Sequence, residues 1–88
     1  MKISKEGVDI TKRFFEVIDM LITSRKIRGI KTFTDMYDIN RRNFITIKNN
    51  PENSVLKTEY LLYLVRDFNF NAYWLITGKG GMFTKQAK

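Results

Sequence analysis

Eighty-eight residues, 43% hydrophobic and 14% aromatic, suffice for a single domain with one core that needs no covalent staple. Sixteen Lys and Arg against nine Asp and Glu leave a formal charge of +7, which points to a polyanionic partner. The chain has no Cys and no His, so disulfides, thiolate sites, the commonest zinc ligand and the commonest general base are all excluded.

Residues 1–8 carry charges and no apolar export segment, and they read as a flexible leader in front of a domain spanning 9–83. No apolar run approaches the roughly 20 residues of a membrane span, so an intracellular, cytoplasmic location is the simplest expectation. Asp9 is a candidate N-cap for a first helix from Ile10 to about Lys26. Ile10, Phe14, Val17, Ile18, Leu21 and Ile22 recur there at helical spacing, with Lys12, Arg13, Glu16 and Asp19 on other faces. A shorter helix from Lys31 to Tyr37 turns Phe33, Met36 and Tyr37 inward.

Thr32 to Asn49, TFTDMYDINRRNFITIKN, organises the rest. Tyr37-Asp38-Ile39 reads as a tight turn between two helices, with Asp38 at a position of positive φ and Asn40 capping the third helix. Ile39, Phe44 and Ile47 are spaced to face inward. Arg42, Ile45, Thr46 and Asn49 make the opposite stripe, suited to the edges of base pairs. The pattern is that of a DNA-binding helix-turn-helix.

Asn49-Asn50-Pro51-Glu52-Asn53 is a loop. From Val55 to Phe68, Leu56, Tyr60, Tyr63, Leu64 and Phe68 trace an apolar face widened by Leu61, Leu62 and Val65, so this fourth helix is expected to be the most buried. Asn71 caps a fifth helix, Ala72 to Thr77, that stops at Gly78. Met82 and Phe83 are expected to fold back onto Trp74, and residues 84–88 to form a disordered basic tail. Gly78-Lys79-Gly80-Gly81 follows a helix instead of preceding one, so it reads as a helix stop and not a phosphate cradle. The result is an all-α, five-helix bundle. With neither a His-supported carboxylate pair nor a metal-spaced acidic cluster, no enzyme activity, metal or cofactor is expected.

The helix order, with its FTDMYDI segment, resembles the Cro/phage-repressor (XRE) type of helix-turn-helix domain, which is lambda-repressor-like in fold. NAYWLITGKGGMF, residues 71–83, resembles the Asn-Pro-x-Trp-Leu-Leu-Thr-Gly-x-Gly-x-Met ending found in a subset of those bacterial and phage regulators. This resemblance implies base readout by Arg41, Arg42, Ile45 and Thr46, and contacts to the DNA backbone from Asn49, Asn50 and Asn53. Lys31 and Lys48 add charge on either side. The chain departs from the family's usual residues at Thr34 (Ala), Asp38 (Gly), Asn40 (Ser) and Ala72 (Pro). Gly29 and Ile30 stand where the family has a phosphate-clamping pair, a contact that Lys31 or Thr32 would have to take over.

Arg41 lies nearer the inner edge, where a phosphate contact is as plausible as a base contact. Ile45 can meet a thymine methyl or pack against the fourth helix or a partner subunit. Between Arg25 and Lys48, Arg25, Lys26, Arg28, Lys31, Arg41, Arg42 and Lys48 face only Asp35 and Asp38 in acidic charge. The expected role is that of a sequence-specific transcriptional regulator, repressor-like, binding double-stranded DNA as a homodimer with no small-molecule ligand. The chain is too short for a separate oligomerisation domain, so the dimer contact would fall on the fifth helix, Met82-Phe83 or the leader. The rival reading is a phage or mobile-element adaptor that keeps the scaffold but binds a protein.

Overall fold

The computed structural model describes residues 3–83, so the expected tail at 84–88 lies outside the described residues. Among the described residues the chain is all-α. It has five helices, α1 (Lys5–Thr23), α2 (Ile30–Met36), α3 (Arg41–Asn49), α4 (Thr58–Phe68) and α5 (Ala72–Thr77), and no strand. None of these helices is long and apolar enough to cross a membrane. The helices divide between two units, α1 to α3 in the first and α4 with α5 in the second.

The first helix starts at Lys5, not at Ile10. Ser4 is its N-cap, its hydroxyl accepting from the Gly7 N–H at 3.1 Å, and Asp9 lies exposed inside the helix. Residues 5–8, expected as leader, therefore form its opening turn. Val8 is buried, and the Ile3 N–H donates to the Glu52 carbonyl at 3.1 Å, which ties the chain start to the loop after α3. The helix also ends early, at Thr23. Lys26 N–H and Ile27 N–H both return to the Leu21 carbonyl, and Arg25 takes a left-handed φ of 65°.

Four phenylalanines form the centre of this unit. Phe14 and Phe15 of α1, Phe33 of α2 and Phe44 of α3 are all buried, with ring centroids 5.0 Å apart for Phe14–Phe15, 5.9 Å for Phe14–Phe44 and 5.6 Å for Phe33–Phe44. Most of these pairs meet edge to face, which the ring quadrupoles favour. Tyr37 closes on Phe33 at 5.0 Å. Met36, expected inward, is 52% exposed, because a seven-residue helix offers the core only the stripe through Phe33 and Thr34.

In the second unit α4 starts at Thr58, later than Val55. It buries only Tyr60 and Leu64, while Leu62 is half exposed. The expectation that this helix would be the most buried fails, since α1 carries Val8, Thr11, Phe14, Phe15, Val17, Ile18 and Leu21 inside. Burial of Tyr60, then Coulombic repulsion from the Glu59 carboxylate and the ionisable Tyr63 hydroxyl, push its phenol above the ordinary pKa. Asn69, at φ 61°, ends α4 in the left-handed region, where Asn is tolerated.

Asn71 then caps α5, its side chain accepting from the Tyr73 N–H at 3.1 Å, and Gly78 stops the helix at φ 77°. The chain returns across the cap. Asn71 N–H donates to the Met82 carbonyl at 2.8 Å and Asn71 Nδ2 to the Gly81 carbonyl at 2.9 Å. Phe83 stacks on Phe70 at 4.8 Å instead of on Trp74, and an isolated antiparallel bridge joins these two residues.

Candidate nucleic-acid interface

What positions α3 is the asymmetry of its two faces. Phe44 is fully buried and Ile47 nearly so, and they hold the helix from behind. Asn40 starts it: in extended backbone, its Oδ1 accepts from the Asn43 N–H at 3.0 Å, leaving one fewer unsatisfied donor at the first turn. Ahead of the cap, Asp38 stands at φ 55° and the Ile39 N–H returns to the Thr34 carbonyl at 2.9 Å. The turn thus sets where α3 begins relative to α2.

On the open side, Arg41, Arg42, Ile45 and Thr46 are exposed and, with Asn40, line one shallow depression of about 530 Å³. All four residues expected to read bases are therefore brought together. Arg41, expected nearer the inner edge, is exposed, as Arg42 is. Among the described residues neither guanidinium belongs to an ion pair, so both fork-shaped donor sets face water. Asn40 was legible only as a helix cap. That it also borders the depression follows from the exposed position of the cap beside Arg41.

Thr46 differs from expectation in one respect. Its hydroxyl donates to the Arg42 carbonyl at 2.9 Å, so its proton is spent on its own helix and what it offers outward is a methyl group and acceptor lone pairs.

The residues expected to touch a nucleic-acid backbone are more scattered. Lys31 is held by Asp35 at 2.7 Å, both side chains mostly exposed, a pair contributing roughly 0.3–0.5 kcal/mol at this spacing. Thr32 is half-buried in the first turn of α2 and its N–H goes to the Gly29 carbonyl at 3.1 Å. Asn49 is exposed at the end of α3. Asn50 closes that helix, both its N–H and its Nδ2 donating to the Thr46 carbonyl at 3.0 and 3.2 Å. Asn53 is exposed in the following loop.

Lys48 is half-buried and lines a separate depression with Lys12, Phe15, Glu16, Asp19 and Pro51. Two α1 carboxylates, Glu16 and Asp19, and one α1 ammonium, Lys12, share that lining with it.

No protein-family model, curated protein or solved structure matches the chain. Functional assignment accordingly rests on the side chains themselves. A narrow helix held from behind by aromatic packing, with two unpaired guanidiniums, one aliphatic side chain and one hydroxyl-bearing side chain in front, has the size and chemistry to enter the major groove of a duplex. That groove is about 12 Å wide and displays the acceptors, donors and methyl groups those side chains match.

Proposed function

We propose that the chain is a sequence-specific double-stranded DNA-binding protein of the Cro/phage-repressor helix-turn-helix type, inserting α3 into the major groove and acting in the bacterial cytoplasm as a repressor-like transcriptional regulator. The observation that carries this reading is the single exposed face on which Arg41, Arg42, Ile45 and Thr46 line one depression, opposite the buried Phe44 and Ile47. The concentration of positive charge between Arg25 and Lys48 supports it. Arg42 is proposed to take guanine O6 and N7, and Arg41, Lys31, Asn49 and Asn53 to hold phosphates. Because one helix spans few base pairs, the working form is proposed to be a homodimer with reading helices about 34 Å apart. Its contact is assigned to α5 and the residues after it, where Tyr73, Ile76 and Phe83 are exposed.

The test is binding of mixed-sequence duplex DNA at two salt concentrations, followed by selection from a random duplex library. Log K is expected to fall with log salt by roughly 0.9 per neutralised phosphate, and a defined site to emerge from the selection. A chain that binds no duplex even in low salt is not a DNA-binding protein, and the adaptor reading would take its place.

A further inference from the structure

The engaged hydroxyl of Thr46 changes what the middle of the α3 face can recognise. Of the side chains lining the depression, the free donors are the two guanidiniums and the Asn40 Nδ2 amide, all grouped at the start of α3. Asn40 Oδ1 is occupied by the Asn43 N–H, and the Thr46 proton by the Arg42 carbonyl. Helix α3, RRNFITIKN, contains no carboxylate to accept from cytosine N4. Of that lining, what remains beyond the first turn is the 36%-exposed Ile45 and Thr46, whose methyl group and acceptor lone pairs are what it still offers outward. Two adjacent apolar groups in water have one obvious complement in the major groove, the 5-methyl group of thymine.

Resting on the DNA-binding reading above, we infer that Ile45 and Thr46 form a methyl-reading pair that selects thymine over other bases at the centre of the half-site, with the Thr46 hydroxyl serving the helix and not the base. The back-bond also fixes the Thr46 side chain on its own backbone, so its methyl is pre-oriented before DNA arrives and little rotamer freedom is lost on contact. Specificity then divides along the helix. The arginines near its start supply hydrogen bonds to guanine, and the following residues supply an apolar contact that a hydrogen-bonding base edge cannot replace.

The experiment uses the full chain and the duplex obtained by library selection, with affinity measured by fluorescence anisotropy at one fixed salt concentration. Each thymine is replaced in turn by deoxyuridine, which differs by the methyl group alone. At one or two positions uridine is expected to weaken binding about fourfold, the equivalent of one lost buried methyl. Thr46→Val, which keeps the methyl and removes the hydroxyl, is expected to keep the thymine preference, read as an unchanged ratio of affinities for the thymine and uridine duplexes. Ile45→Ala combined with Thr46→Ser is expected to erase that preference while retaining binding through the arginines. Both sites are exposed, so folding is checked by circular dichroism and expected unchanged. Uridine tolerated at every position, or Thr46→Val losing as much of the thymine preference as Thr46→Ala, overturns the inference while leaving DNA binding intact. Failure of the parent chain to bind any duplex overturns both.

Discussion

The Phe44 ring of α3 meets the Phe15 ring of α1 edge to face at 5.0 Å, and both side chains are buried. This pair fixes how far α3 can roll or slide on α1, and through that the direction in which Arg42 and Thr46 face. Phe44→Ala removes a ring that also touches Phe14 and Phe33, and a loss of about 3–5 kcal/mol is expected. Phe44→Leu keeps most of the volume and is expected to lose less and to preserve DNA binding. Denaturant titration of the two variants checks this. Equal stability of Phe44→Ala and the parent chain would show that the aromatic cluster does not hold the helix.

Arg42 and Lys31 are expected to fail differently. Arg42→Ala should cost about 1–3 kcal/mol on the selected site and much less on random duplex, whereas Lys31→Ala should weaken both alike. Equal losses on both duplexes for Arg42→Ala would remove it from the base-reading set.

The Lys31–Asp35 pair has a converse consequence, since Asp35 neutralises a cation that the proposed interface needs. Asp35→Asn frees the ammonium, so affinity for operator and random duplex should rise together and the salt slope should steepen by up to about 0.9. An unchanged slope would place Lys31 away from the phosphates.

Asp38 holds a left-handed conformation at φ 55°, which costs an L-residue on the order of 1 kcal/mol. Asp38→Gly relieves that cost, partly offset by the extra freedom glycine gives the unfolded chain, and a gain of at most about 1 kcal/mol is expected. Asp38→Val is expected to destabilise by at least as much. Thermal melts that rank the two variants together would show that the turn does not retain this backbone in solution.

Asn40 is tested through its side chain. Asn40→Ala leaves the Asn43 N–H without its partner and is expected to destabilise by about 1 kcal/mol, while Asn40→Ser, another good cap, should lose little. The readouts are the unfolding midpoint and exchange protection of the amides at the start of α3. Identical protection in the two variants would deny the cap its role.

Much of this was legible in the residues alone because it depends on near neighbours. A cap is a hydrogen bond from a side chain to a backbone N–H a few residues on, so Asn40 and Asn71 could be placed without knowing the rest. Gly78 ends α5 for an equally local reason, the ease with which glycine takes positive φ. The alternation of Phe44 and Ile47 with Arg42, Ile45 and Thr46 also follows from helical periodicity.

What needed the tertiary structure was every choice among locally equivalent options. Ser4 and Asp9 are both sound N-caps, and the buried Val8 together with the bond from Ile3 to the distant Glu52 accompany the start at Ser4. Periodicity marks an apolar stripe but not its buried width, so Met36 and Leu62 could be assigned to the core when the packing leaves them in water. Composition likewise cannot tell which polar groups are already engaged. Thr46 bonds to its own helix and Lys31 pairs with Asp35, because a side chain's partner is whichever group the fold brings within reach.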